Sequence, residues 1–171
     1  KGNSASPPAA KAVPPSPANQ NAAKSFSFAP SSGRDVAAHR VVIYGTGGIG
    51  KTELASNLSA VGIKPLILDL EDGSRFLDVT RLKINSFDEL RAALQNPGCA
   101  EFGAIVVDSF TKAEEYAAGW VLANIKKDGA FVPNIKAYGW GDGYAHIYDA
   151  FLRMLGDLDA HIRAGRHVIC I

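Results

Sequence analysis

The sequence predicts an α/β domain with a mainly parallel sheet sandwiched by helices, and three observations carry that prediction. Short apolar runs without polar alternation recur along the chain, as expected of strands covered on both faces of a parallel sheet. Longer amphipathic stretches separate them, as the crossovers between parallel strands require. A glycine-rich segment ending in Lys51-Thr52 stands between the first apolar run and the first amphipathic stretch.

The first 38 residues stand apart from this pattern. They hold six of the nine prolines, ten alanines and a single acid, Asp35. Without helical or alternating periodicity, and with prolines favouring extended, solvated backbone, residues 1–38 read as a disordered tail or linker. The folded core is then 39–171.

Within it, strands are expected at 41–44, 65–70, 104–107 and 167–171, with a weaker strand near 79–84. Helices are expected at 51–61, 87–95, 111–126 and 144–164. The second is opened by the capping box Ser86-x-x-Glu89 and closed before Pro97-Gly98. Right-handed crossovers would place the carboxyl ends of the strands on one edge, where ligands collect. Gly45, the run from Asp69 to Asp72, and Asp108 are therefore expected as neighbours. The chain opens on Lys1 and closes on Ile171 inside an apolar run, so it reads as an excerpt whose C-terminal part is missing.

Composition removes several function classes. Eighteen basic against seventeen acidic residues give a net charge of +1, and the tail's four bases and one acid leave the core at −2. Global charge thus supplies no nucleic-acid footprint. Cys99 and Cys170 lie far apart with no C-x-x-C, which reads as free thiols in a reducing compartment. No apolar run reaches the length of a membrane span and no signal peptide opens the chain, so a cytoplasmic protein without membrane attachment is expected. His146, His161 and His167 lack metal-ligand spacing.

Gly45-Thr46-Gly47-Gly48-Ile49-Gly50-Lys51-Thr52 fits the phosphate-loop pattern G-x-x-x-x-G-K-[ST] in full, between strand and helix. A triphosphate needs many donors converging on a small volume. Glycines reach backbone angles that a β-carbon forbids, so successive N–H groups can face phosphate oxygens, and the following helix adds its unpaired amides. Lys51 is a compact cation for the β- and γ-phosphates, and the Thr52 hydroxyl is a hard ligand for Mg²⁺. The expected ligands are ATP and Mg²⁺, although the residues alone leave adenine and guanine both open.

Acids end the next strands. Asp108 closes an apolar strand, the pattern of a residue that holds Mg²⁺ through its water ligands; the competing reading is a helix cap by Asp108 or Ser109. Asp69 and Glu71 fall on one strand face at a spacing of two, and Glu71 is placed to polarise water in line with the γ-phosphate. The alternative for Glu71 is an exposed residue of an Asp72-Gly73 turn.

Together these residues resemble the RecA-like ATPases and, within them, the phage-type single-strand annealing and recombination ATPases. The resemblance runs through 41–52, 66–73, 105–109, Tyr138-Gly139 with Gly141 and Gly143-Tyr144, and 167–171. The loop is specific only to the superfamily, and the acidic ends of the second and third strands carry the rest. The resemblance implies that Glu71 is the catalytic base acting beside Lys51, that single-stranded DNA is bound, that copies of the chain assemble, and that the setting is a bacterial or phage-infected cell. The family's γ-phosphate sensor and arginine finger would fall past Ile171.

Two other readings use the same loop. A small-molecule kinase would need an arginine lid, for which Arg75, Arg81 and Arg91 are the candidates, and a non-catalytic switch would bind nucleotide without turnover. The run from Tyr138 to Tyr144 either stacks bases, with Lys126, Lys127 and Lys136 meeting phosphates, or forms a glycine-rich connection with its aromatics packed beneath. Tyr116 and Trp120 recur near helical spacing, as core residues do.

Overall fold

The computed structural model describes residues 38–171, so all but the last residue of the expected tail lies outside the described residues. Five strands form one parallel sheet. Its order is β1 (Arg40–Val42), β5 (His167–Cys170), β4 (Ala104–Asp108), β2 (Pro65–Asp69) and β3 (Arg81–Lys83). The helices are α1 (Lys51–Ser56), α2 (Phe87–Leu94), α3 (Phe110–Asn124) and α4 (Asp142–Arg163). The expected α/β architecture is present.

The sheet has two unequal sides because successive side chains of a strand point to opposite faces. Leu66, Leu68, Ile105, Val107, Val168 and Cys170 join one large cluster with residues of α2, α3 and α4. Ile67, Val106 and Ile169, the intervening residues, pack on the other side with Ala55 of α1. Both cysteines are buried and free, and burial pushes the Cys170 thiol up to about 11.

The outer strands differ from expectation. The first was expected to be buried, yet Val41 and Val42 are 43% and 67% exposed. Among the described residues β1 stands at the edge of the sheet with β5 as its one strand partner, so the apolar composition marks a strand without marking its place in the sheet. The weak run near residue 80 is the opposite edge, β3, paired with β2.

The first helix is also shorter than its pattern. It runs from Lys51 to Ser56 and then tightens into a 3₁₀ segment, Asn57–Val61. Ser56 Oγ donates to the Glu53 carbonyl at 2.7 Å and Ser59 Oγ donates to the Ser56 carbonyl at 2.9 Å. Such back-bonding competes with the regular ladder. In α2 the Ser86 hydroxyl caps Glu89 N–H at 3.1 Å, but the Glu89 carboxylate accepts from Asn85 N–H at 2.7 Å, one residue earlier than a standard capping box.

The Tyr138–Tyr144 run divides between its two readings. Tyr138 is 3% exposed, and its hydroxyl donates to the Ile125 carbonyl at 2.6 Å and lies 3.2 Å from the Val121 carbonyl oxygen. A β-carbon on Gly143 would stand 2.4 Å from the Ile135 carbonyl oxygen, so glycine is required where α4 crosses the preceding turn. Trp140 and Tyr144, by contrast, are exposed.

Candidate functional site

β4 lies beside β2 with Asp108 opposite Asp69, which brings the two acidic strand ends together as expected. The glycine-rich loop reaches them differently. Its strand, β1, is separated from β4 by β5, and α1 carries Thr52 back across that gap. Thr52 Oγ1 donates to Asp108 Oδ2 at 2.5 Å.

A cavity of about 530 Å³ opens at this edge, lined among others by Gly47, Gly48, Gly50, Lys51, Thr52, Glu71 and Asp108. Gly48 and Gly50 have φ of 79° and 86°, in the left-handed region that favours glycine. A β-carbon on Gly47 or Gly48 would meet nothing within 4 Å, so these residues present bare backbone to open space. Lys51 Nζ donates to the carbonyls of Gly45 and Thr46, each at 3.0 Å, and so braces the loop that holds it. Gly45, Thr46 and Ile49 do not line the cavity. The Ile49 side chain instead lies over Gly45, with Cδ1 2.5 Å from the position of a β-carbon there.

The two acids expected on one face of the second strand part company. Asp69 is 2% exposed and turns into its own loop. It accepts from the backbone N–H groups of Glu71 and Gly73, both at 3.2 Å, from Ser74 N–H at 3.0 Å, and from the Ser74 hydroxyl. Burial alone would raise its pKa, but the Ser74 hydroxyl and these backbone groups outweigh it and hold the carboxyl below its ordinary value. Asp69 thus shapes the loop, and Glu71, past the strand end, is left exposed toward the cavity.

Asp108 behaves in the opposite way. Burial pushes its pKa up, the Thr52 hydroxyl offsets part of this, the carboxylates of Glu71 and Asp69 push it further, and Lys51 opposes them; the net shift is upward. An acid in that position gains from any cation brought close to it.

Sequence reasoning missed Phe76 and Leu77, which also line the cavity, because nothing local distinguishes them. It noticed Ser109 only as a helix cap. Ser109 does cap α3, accepting from Lys112 N–H at 3.2 Å, and its hydroxyl also donates to Glu71 Oε1. That second contact spans 38 positions of sequence and leaves no local signature. Two of the three lid candidates are held elsewhere: Arg81 donates to the Ser74 carbonyl at 2.8 Å, and Arg91 Nε meets Asp157 of α4 at 2.8 Å.

A parallel sheet flanked by helices, with a lysine-threonine glycine loop leading into the first helix and a carboxylate beneath the threonine, defines a P-loop nucleotide-binding domain. The family model described as AAA domain matches residues 37–171, and the chain belongs to that family. A comparison with curated proteins returns no match. Among the described residues no helix is long and apolar enough to cross a membrane.

Proposed function

We propose that this cavity binds ATP with Mg²⁺ and hydrolyses it, and that the cycle drives single-stranded DNA annealing or recombination by an assembly of identical chains. The observation that carries the hydrolytic reading is that Glu71 and the Thr52–Asp108 pair face one cavity floored by the glycine loop. Backbone N–H groups of Gly47 to Thr52 and the Lys51 ammonium, released from its carbonyl contacts, receive the phosphates. Among the described residues no group of three or more His, Cys, Asp or Glu is placed to hold a metal. Thr52 and Asp108 would hold the cation, Asp108 through water ligands, and so sparse a set of protein oxygens would suit Mg²⁺, which keeps several of its waters. When bound, Mg²⁺ neutralises charge on the β- and γ-phosphates. Glu71 accepts a proton from the attacking water and orients it.

Of the three arginines a kinase lid would need, Arg91 is drawn away to Asp157 of α4 and Arg81 is bonded to the Ser74 carbonyl, which leaves Arg75, beside the cavity-lining Phe76, as the one candidate still at the site. DNA coupling rests on the resemblance to annealing and recombination ATPases. Exposed Trp140 and Tyr144 are the stacking surfaces it would use, while buried Tyr138 is withdrawn from that role.

The test is ATP hydrolysis by the full chain with Mg²⁺, with and without single-stranded DNA, beside Lys51→Ala and Glu71→Gln. Turnover stimulated by DNA and lost in both variants is expected. Glu71→Gln should still bind nucleotide while losing on the order of a hundredfold in rate. Comparable hydrolysis by Glu71→Gln would remove Glu71 from the mechanism. Binding without turnover by the unaltered chain would favour a nucleotide-dependent switch.

A further inference from the structure

We infer that Ser109 is a positioning residue for the water-activating carboxylate of Glu71, an inference that rests on the hydrolytic reading of the cavity. Glu71 is exposed and follows the end of β2, so packing does little to fix its side chain. Among the described residues, the one side chain hydrogen-bonded to its carboxylate is Ser109, which donates to Oε1. A free glutamate has several rotamers, and a general base must be held within hydrogen-bond reach of its water.

The contact is directional because the Ser109 hydroxyl has two tasks. As the first cap of α3 its oxygen accepts from Lys112 N–H at 3.2 Å. A hydroxyl has one proton to give, and Glu71 Oε1 receives it. Oε1 is thereby tethered, and Oε2 is the oxygen left for water. The backbone supports the same alignment, since Leu70 N–H donates to the Asp108 carbonyl at 2.7 Å and keeps the Glu71 loop against the end of β4. Asp108 and Ser109 are adjacent. One carries the contact to Thr52 and the other the contact to Glu71, so a single dipeptide sets the spacing between the candidate metal site and the candidate base.

Capping alone would also explain a serine here, and the two roles predict different outcomes. In the full chain, Ser109→Ala should lower kcat by about tenfold or more, the effect of a misplaced catalytic group, with ATP affinity changed by no more than about twofold. Ser109→Thr keeps both acceptor and donor and should restore most of the turnover. In a Glu71→Gln background, Ser109→Ala should cost nothing further, because a residue acting through Glu71 has nothing left to position. Thermal denaturation of each variant reports the cap separately. Unchanged kcat in Ser109→Ala with a lowered Tm would reduce Ser109 to a cap and overturn the inference. So would equal losses in Ser109→Ala and Ser109→Thr, or a full further loss in the double variant. If Glu71→Gln itself hydrolyses normally, the hydrolytic assignment of Glu71 fails first, a result separate from the others.

Discussion

The hydroxyl of Thr52 and the carboxylate of Asp108, 56 positions apart in sequence, meet at 2.5 Å across the carboxyl edge of the sheet. The bond links the first helix to the central acid-ended strand even though β5 lies between their parent strands. Removing either oxygen leaves a candidate cation with one fewer partner. Asp108→Asn is expected to lower turnover by on the order of a hundredfold and to raise the Mg²⁺ concentration for half-maximal ATPase activity. Thr52→Ser, which keeps the hydroxyl, should shift that concentration little. Magnesium titrations of the two variants check this, and equal curves would separate the pair from metal binding.

Phe76 is 82% exposed and, among the described residues, is the one aromatic residue lining the cavity. The Arg75 guanidinium sits 4.6 Å from its ring centroid. An aromatic surface left open beside a phosphate loop suits a planar base, and stacking of that kind is worth about 1–3 kcal/mol. Phe76→Ala is therefore expected to raise KM for ATP about fivefold or more while leaving kcat within about twofold. Steady-state kinetics decide it, and an unchanged KM would place the base elsewhere.

His161 supplies a pH dependence away from the site. It is 3% exposed, its Nε2–H donates to the Leu94 carbonyl at 2.8 Å, and its Nδ1 accepts from Arg166 Nε at 2.9 Å. Burial lowers its pKa below the ordinary 6.5 and Arg166 lowers it further, against opposing effects of the Leu94 carbonyl and Asp157. The folded state thus favours the neutral ring. Its contribution to stability is complete above pH 6.5 and is lost as pH falls from there through the lower folded value. Urea midpoints should decline as pH falls below about 6.5. His161→Leu should lower stability at pH 7.5 by about 1–3 kcal/mol, because it strands the buried partners, and should flatten that decline. An unaltered slope in the variant would assign the pH effect to another group.

The interior of the fold was legible because interior strands have one composition. β2 and β4 are buried throughout, and each reads as an apolar run closed by an aspartate. β1 has the same texture yet lies exposed at an edge, because apolar content does not encode neighbours. The glycine loop, Thr52 and Asp108 stood out in the sequence because each residue type answers a requirement of phosphate or metal, and the fold brings Thr52 and Asp108 into contact. The fate of Asp69 was not. Strand periodicity put it beside Glu71, but the strand ends at Asp69, and periodicity ceases to apply once the chain turns around that carboxylate. The Ser109 contact was hidden for a related reason: a local motif explained the residue fully, and its second hydrogen bond exists only in the folded arrangement.

The place of β5 bears on how the domain is made. Among the described residues β1 finds its one strand partner in β5, which also lies against β4 and is the last of these five strands to leave the ribosome. While the chain is being synthesised, β2, β3 and β4 can associate as soon as they emerge, whereas the strand feeding the glycine loop must wait. Competence to hold nucleotide is therefore acquired only once β5 has emerged, and a nascent chain halted before β5 would present a β1 without that partner to chaperones in place of a finished phosphate cradle.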